Sequence, residues 1–282
     1  MRQVIKSIHT YTNFNESQHV EVKKLRLKGS SMAGVTCYRE AYNCSHFLEE
    51  PTITLVIEGE KYMFVNRTEY FLKPGDLLYI PKNTLVFTDI PKTENNFRSF
   101  NLVLSESTLR ALYGFQQKEK CSFKNNVIKA KQGPAMIKQI KGILASFPLD
   151  EKKNEQIFME LLKSIEKELF EFGTAPQKRS SEEIINKVLL RSLYHPLNLS
   201  QMASLCYMSL ATFKRRFKAI YGVSPKAWLR DQRLQAAYFH LKTNREKISD
   251  LVADLGFDNF SHFSYLFRKT FHTTASNLIS QN

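Results

Sequence analysis

The sequence ATFKRRFKAIYGVSP, residues 211–225, places three aromatic rings four residues apart with cations between them. The rings are Phe213, Phe217 and Tyr221, and the cations are Lys214, Arg215, Arg216 and Lys218. On a helix, this spacing puts the rings on one face and most of the cations on another. Three interpretations are open: a stacking surface for single-stranded nucleic acid, a basic helix on a membrane surface, or a helix that buries its rings and presents its cations to DNA.

The same pattern recurs further along the chain, which indicates an internal duplication. After a turn the offset is 50, so the three rings align with Phe263, Phe267 and Phe271. Before the turn the offset is 49, and six positions between Leu199 and Met208 align with six between Ile248 and Phe257. Each copy is predicted to form a short helix, a tight turn and a longer helix, which is the pattern of a helix-turn-helix unit. Gly256 lies at the second turn, where a positive φ is expected.

The duplication favours burial of the rings, because a stripe at the same helical phase in both copies is typical of a core. Phe213, Phe217, Ile220 and Tyr221 are therefore predicted to form one apolar face. Lys214, Arg215 and Lys218 point away from it, together with Ala211, and Arg216 lies at the flank, where it suits a phosphate. Leu234, Ala237 and Leu241 predict a helix that connects the two copies.

Residues with strong turn and capping preferences follow the first long helix. Gly222 suits a left-handed helix end, Ser224 suits a helix N-cap and Pro225 suits the first position of the next helix. The second copy has His272 and Ala275 at the glycine and proline positions. Its ending is expected to be less stable by ~1 kcal/mol.

The charge of the chain points to an anionic partner. The formal net charge is +14 over 282 residues. Residues 179–282 hold 15 Lys and Arg against 7 Asp and Glu, so the positive charge is denser there than in the first 178 residues. The sequence has neither an apolar leader nor a stretch of about 18 apolar residues, so we expect a soluble, cytoplasmic protein without a membrane partner.

The front of the chain has a different period. Residues from about Val20 to Val103 are predicted to be β, with turns at Glu58-Gly59, Asn66-Arg67 and residues 73–76, and a barrel and a double-sheet roll are both open. A helical stripe is predicted along residues 157–172, which would pack on the sheets or against a second copy of the chain. The predicted organisation is a β-rich domain at 1–120, a helical segment at 121–172 with a possible role in dimerisation, a linker at 173–181 and a helical domain at 182–282, whose repeat and charge favour DNA as its partner.

The four cysteines are Cys37, Cys44, Cys121 and Cys206, and no C-x-x-C pair occurs. Reduced thiols are expected, with a Cys37–Cys44 redox pair as the alternative. Motifs of hydrolases and phosphate-binding loops are absent from the sequence, and the seven histidines are scattered. We therefore expect no catalytic residue, no metal and no cofactor.

The C-terminal third resembles the paired helix-turn-helix domain of AraC/XylS-type transcriptional regulators. The resemblance rests on "LSQMASLCYMSLATFKRRFKAIYGVSPKAWLRDQRL" and "ISDLVADLGFDNFSHFSYLFRKTF", and it covers about the last 100 residues. It implies an α+β chain with an N-terminal cupin-like β-barrel, a helical dimerisation or linker segment and a C-terminal all-α double helix-turn-helix domain. It also implies a recognition helix from each unit in successive major grooves of double-stranded DNA.

The resemblance assigns roles to residues of both recognition helices. The residues expected to face bases are Ala211, Thr212, Lys214, Arg215, Asn259, Ser261, His262, Ser264 and Tyr265. Those expected near phosphates are Arg216, Lys218, Arg268 and Lys269. Because the second helix has fewer cations at its front, we expect the first unit to contribute more of the affinity.

The front half resembles the cupin-like arm of such regulators through "IEGEKYMFVNRTEYFLKPGDLLYIPKN". A metal-binding cupin needs histidines near positions 65, 67 and 86, where this chain has Val65, Arg67 and Val86. The chain is also similar to the sub-branch that contains activators of type III secretion operons, whose members are often governed by a protein partner. The effector, a small molecule or a regulatory protein, is not identified by the sequence.

The resulting hypothesis is a transcriptional activator that contacts RNA polymerase and forms a homodimer through residues 157–172. Two alternatives stay open. One is a metal-free cupin-like protein with an enzymatic role and an accessory DNA-binding arm. The other is a membrane-surface protein that uses the basic aromatic helix.

Overall fold

The protein is described from a computed structural model, which covers two compact units. Helices within Lys178–Asn282 form one unit, and strands between His9 and Gln177 form most of the other. The described residues are 8–9, 20–26, 32–38, 41–91, 97–104, 121–123, 126–145, 159, 163, 170–172, 180–194, 197–243 and 247–280.

The β-rich unit contains the strands predicted from the sequence between positions 20 and 103. The strands are β1 (Ile8–His9), β2 (Val20–Arg26), β3 (Met32–Tyr38), β4 (Tyr42–Leu48), β5 (Thr52–Glu58), β6 (Lys61–Val65), β7 (Thr68–Leu72), β8 (Asp76–Ile80), β9 (Thr84–Ile90), β10 (Phe97–Val103), β11 (Cys121–Phe123), β12 (Ile128–Lys131) and β13 (Phe170–Phe172). They form sheets with the orders β1-β4-β9-β6-β7, β12-β8-β5-β10-β3-β2 and β11-β13. The predicted α+β class with a β-sheet-rich N-terminal domain is confirmed, and the described strands of that domain form two larger sheets.

The two larger sheets share one apolar core. Met63 and Val86 from the five-stranded sheet cluster with Val56, Leu78 and Ile80 from the six-stranded sheet, and all five are nearly or fully buried. Met63 and Val65 in β6, and Leu78 and Ile80 in β8, are two positions apart and face this core together, since successive side chains of a strand point to opposite faces. The unit is therefore held together mainly by apolar burial between the sheets.

Tight turns at the predicted positions link these strands. Asn66 and Arg67 have φ values of 48° and 65°, as a two-residue type I′ hairpin turn requires. Gly75 has a φ of 92°, and a Cβ there would lie 2.9 Å from the carbonyl oxygen of Gln132. A side chain at position 75 would therefore strain both the turn and its contact with the segment after β12.

The prediction of a helical segment over 121–172 is wrong in part. The segment contains helix α1 (Pro134–Ala145), but also β11, β12 and β13. Within the predicted 157–172 helix, Met159 and Lys163 are helical, Phe170–Phe172 is a strand, and the remaining positions lie outside the described residues. Cys121 pairs with Phe172, 51 positions along the chain, and local periodicity cannot reveal a pairing over that distance.

The helical unit follows the predicted pattern of two copies joined by a long helix. Its helices are α2 (Ser180–Tyr194), α3 (Leu199–Leu205), α4 (Leu210–Tyr221), α5 (Pro225–Thr243), α6 (Ile248–Asp254), α7 (Phe260–Phe271) and α8 (Ala275–Ser280). The predicted linker at 173–181 extends too far, because α2 already begins at Ser180. Glu182 and Glu183 lie in the first turn of α2, where acidic side chains stabilise a helix start.

Candidate nucleic-acid interface

The two helix-turn-helix copies repeat the same backbone hydrogen bonds. At the turn, the Tyr207 amide donates to Ser204 O at 2.9 Å, and the Gly256 amide donates to Ala253 O at 2.9 Å. Each pair of positions is related by the offset of 49 found in the sequence. The duplication predicted from the sequence is thus confirmed at the level of turn geometry.

Both recognition helices start from a side-chain cap. The Thr212 amide donates to Ser209 Oγ at 3.2 Å, and the His262 amide donates to Asn259 Oδ1 at 3.1 Å. Such caps satisfy backbone donors that the first turn of a helix leaves unpaired. Asn259 was predicted to face a base, and its Oδ1 is engaged in this cap. No role was predicted for Ser209, although the offset of 50 aligns it with Asn259.

The first two rings of the repeated stripe are buried in both long helices, as predicted, whereas the third ring, Tyr221 or Phe271, is partly buried. Phe213, Phe217, Phe263 and Phe267 are each 0% exposed. The Phe217 centroid lies 6.1 Å from that of Trp228, and the Phe267 centroid lies 6.2 Å from that of Tyr238, so α5 packs a ring against each copy. Ile220 and Tyr221 are only partly buried. Because Phe213 and Phe217 lie inside the unit, the rings of α4 do not form a stacking platform for single-stranded nucleic acid.

The first recognition helix presents a cationic outer face. Its predicted base-facing residues Ala211, Lys214 and Arg215 are exposed, and Thr212 is partly buried. The predicted phosphate contacts Arg216 and Lys218 are exposed as well. The four cations of α4 thus lie on the surface of a helix whose opposite face is fixed in the core.

The second recognition helix has a more neutral outer face. Of the residues predicted to face bases, Asn259, Ser261, His262 and Tyr265 are exposed, whereas Ser264 is partly buried. Arg268 and Lys269 are exposed in its last turn. Lys269 Nζ lies 5.8 Å from the Tyr265 ring centroid, an i, i+4 cation–π contact on the surface. The exposed front of α4 therefore carries more positive charge than the exposed front of α7, as expected from the sequence.

In each copy of the repeat, one residue other than glycine adopts a left-handed conformation at a position where the other copy has glycine. Tyr207, 92% exposed, has a φ of 55° at the position that Gly256 occupies in the second copy. His272 has a φ of 57° at the end of α7, where Gly222 ends α4. The second corner nevertheless keeps a cap, because the Asn277 amide donates to Thr274 Oγ1 at 3.1 Å. Aligning Tyr207 with Gly256 would have revealed its strain from the sequence.

Replacing His272 by glycine should stabilise the helical unit. We expect His272→Gly to raise the free energy of unfolding by about 0.5–1 kcal/mol, since left-handed strain is relieved and only part of that gain is lost to unfolded-state entropy. Denaturant titration of the full chain measures the effect. Gly222→Ala, the matched change in the first copy, should lower stability by about 1 kcal/mol. A His272→Gly protein that is less stable than the wild type would contradict this account of the corner.

Models of known protein domains match both the helical unit and the β-rich unit. A helix-turn-helix domain model matches residues 202–281, and an ExsA N-terminal regulatory domain model matches residues 51–169. The HTH-type transcriptional regulator ExsA of Pseudomonas aeruginosa is 26% identical over 248 residues, which cover 81% of this chain and 85% of ExsA. These matches confirm the resemblance to AraC/XylS-type transcriptional regulators.

Other similar proteins match more loosely. The virulence regulon transcriptional activator VirF of Yersinia enterocolitica is 29% identical over 134 residues, 47% of this chain. The match spans about half of VirF, namely 49%. The crystal structure of an apo variant of ToxT from Vibrio cholerae aligns over 90% of this chain and 98% of ToxT, with a TM-score of 0.47 and 13% identity.

The β-rich unit has valines at two positions where a metal-binding cupin has histidines. Val65 and Val86 are paired across β6 and β9 and are 0% and 1% exposed. Cys44 Sγ lies 2.9 Å from His46 Nε2, but burial raises the pKa of the Cys44 thiol to about 12, so it is a poor thiolate ligand. Among the described residues, no group of three or more His, Cys, Asp and Glu is placed to hold a metal ion.

Other polar side chains are also buried in this unit. Thr36 and Ser99 share a hydrogen bond of 2.8 Å between their hydroxyls, and Asn101 Nδ2 donates to both hydroxyls. Lys61 is 5% exposed, and burial lowers its pKa to about 8.

Cys37, Cys44 and Cys206 are buried free thiols, so the Cys37–Cys44 pair is not joined in this structure.

None of the described helices combines the length and the apolar character needed to cross a membrane.

Proposed function

We propose that this chain is an AraC/XylS-type regulator that binds specific DNA sequences and activates transcription, with α4 and α7 in successive major grooves. The observation that carries the proposal is the duplicated unit itself: two capped helices with matching turns, buried aromatic faces and exposed polar faces. A helix of this kind fits the major groove, where side chains at its front reach base edges.

The residue roles expected from the sequence are part of the proposal. Lys214 and Arg215 contact bases in the first groove, since both are exposed near the front of α4. Arg216 and Lys218 contact phosphates beside them. In the second groove, Ser261 and His262 contact bases mainly through neutral hydrogen bonds, and Arg268 and Lys269 lie near phosphates. The first unit then contributes more of the salt-dependent affinity.

The β-rich unit is proposed to be the regulatory unit. This assignment is supported by the match of residues 51–169 to an ExsA N-terminal regulatory domain. Activation is supported by the similarity to VirF, a transcriptional activator of a virulence regulon. We propose a small-molecule or protein effector, a contact with RNA polymerase and a homodimer through residues 157–172, and no catalytic role.

The proposal predicts binding that is both salt-dependent and sequence-specific. The full chain should bind fragments of its own promoters with an affinity that falls steeply as salt rises, because Lys and Arg displace counterions from phosphates. Binding should persist in excess competitor DNA, since specific sites bind about 10³–10⁷ times more tightly than non-specific DNA. Gel-shift or anisotropy titrations measure both properties. Complete loss of promoter binding to the competitor would contradict sequence-specific recognition.

A further inference from the structure

A cleft between α5 and the start of α7 lies beside the predicted base-facing residues of the second unit. Its volume is about 840 Å³, and its lining includes Lys226 and Arg230 from α5 and Asn259 and His262 from α7. No role for Lys226 or Arg230 was predicted from the sequence. Both residues lie on α5, the helix between the two copies. They are close to the front of α7, the recognition helix that is expected to contribute less of the DNA affinity.

The α5 wall of the cleft is cationic. Lys226, Arg230 and Arg233 all line it, and their spacing of four and three places them on one helix face. Lys226 and Arg230 are exposed, and neither forms an ion pair with any residue that the structure describes. Two exposed cations four residues apart, on a wall shared with polar helix-front residues, form a surface suited to phosphate groups.

Arg233 lines the same wall, but its guanidinium forms contacts within the protein. Its Nη1 donates to Gly256 O at 3.3 Å, so the guanidinium holds the turn of the second copy. Burial lowers the pKa of the Arg233 guanidinium, and the nearby carboxylate of Asp258, which also lines the cleft, opposes this shift. Arg233 therefore offsets Asp258, and the charges of Lys226 and Arg230 remain available to a ligand.

The neighbouring recognition helix determines which phosphates come near. A helix that reads bases in a major groove, about 12 Å wide, has a phosphate strand on either side. Asn259 and His262 belong to the wall of the cleft and to the face proposed to read bases. DNA in contact with these two residues would bring one bordering phosphate strand to Lys226 and Arg230.

We propose that Lys226 and Arg230 bind the DNA phosphate strand that borders the second major-groove site. This inference rests on the proposed function and extends it to residues outside both recognition helices. It also explains how the second unit gains charge: the connecting helix places two cations beside α7, whose own front is neutral. The same cationic wall would suit a free phosphate-bearing molecule, and measurements with DNA and with inorganic phosphate separate these two sources.

The test uses the full chain and a duplex that the wild type enriches from random-sequence DNA. Affinity is measured at several salt concentrations for the wild type, Lys226→Gln, Arg230→Gln and the double variant. Loss of two phosphate contacts should make the slope of log K against log salt shallower by about 1.8. Between about 50 and 200 mM salt, the wild type should then lose about 12-fold more affinity than the double variant. The enriched sequence should be the same for both proteins, because phosphate contacts carry no base information.

Lys187→Gln is the matched control, because Lys187 is an exposed lysine of α2 that does not line the cleft. Its salt slope should equal that of the wild type. Circular dichroism and melting curves verify the fold of each variant. As a second measurement, ethylation of phosphates bordering the second site should block binding of the wild type.

Several results would overturn the inference. One is a double variant with the slope of the wild type, and another is an ethylation pattern without interference at those phosphates. Saturable binding of inorganic phosphate that the double variant loses, with an unchanged DNA slope, would assign the cleft to a free anion instead. A wild type that enriches no duplex would contradict the proposed function and this inference together, whereas normal enrichment with unchanged slopes contradicts this inference alone.

Discussion

Phe217→Ala should lower the free energy of unfolding by about 3–5 kcal/mol. The ring is 0% exposed, and its centroid lies 5.8 Å from that of Phe213, 4.5 Å from Tyr221 and 6.1 Å from Trp228. Truncation removes these contacts and leaves a cavity that the aromatic neighbours fill only in part. Denaturant titration of the full chain measures the loss.

Phe260→Ala provides a matched control in the same unit. Phe260 is 54% exposed at the start of α7, so its truncation should cost about 1 kcal/mol or less. Phe267→Ala, the equivalent of Phe217→Ala in the second copy, should be as destabilising as Phe217→Ala, because Phe267 is also 0% exposed. A loss below about 1 kcal/mol for Phe217→Ala would contradict the assignment of these rings to the core.

Lys214→Ala and Arg215→Ala should each weaken specific DNA binding by about 1–3 kcal/mol, the cost of a lost base contact. Both side chains are exposed on α4, so their removal should leave the free energy of unfolding nearly unchanged. Competition binding with the wild-type site and with single-base variants of it measures affinity and specificity together. A residue that contacts a base should lose discrimination at one position of the site.

Two comparisons sharpen that experiment. Lys218→Ala should weaken binding to all sequences about equally and reduce the salt slope by about 1, as expected for a phosphate contact. Lys187→Ala, a change at an exposed lysine on α2, should leave binding unchanged. If Lys214→Ala and Arg215→Ala bind the wild-type site as tightly as the unmodified protein does, the proposed role of α4 is wrong.

The features that could be predicted from the sequence are mostly local. The spacing of Phe213 and Phe217, and its repetition at Phe263 and Phe267, predicts burial because helical periodicity fixes which side chains share a face. Gly222 and Ser224 predict the end of α4 and the cap of α5 because few other residues meet those backbone demands. These predictions need no knowledge of how distant segments meet.

The features that could not be predicted from the sequence depend on contacts between distant segments, or on a single residue with an unusual backbone conformation. The pairing of β11 with β13 joins positions 121–123 to 170–172. The cleft that contains Lys226 forms only because α5 packs beside the start of α7. Tyr207 adopts a left-handed φ that propensity disfavours, and only comparison with Gly256 would have indicated it.

The central claim is that two recognition helices read successive major grooves, and selection of binding sites from random duplex DNA tests it most directly. The wild-type full chain should enrich sequences with two preferred blocks whose centres lie about 10–10.5 bp apart, one turn of the duplex. Each block should be lost when the recognition helix that reads it is altered, the first by Lys214→Ala with Arg215→Ala. Enrichment of a single block, of blocks at another spacing, or of no sequence at all would contradict the claim.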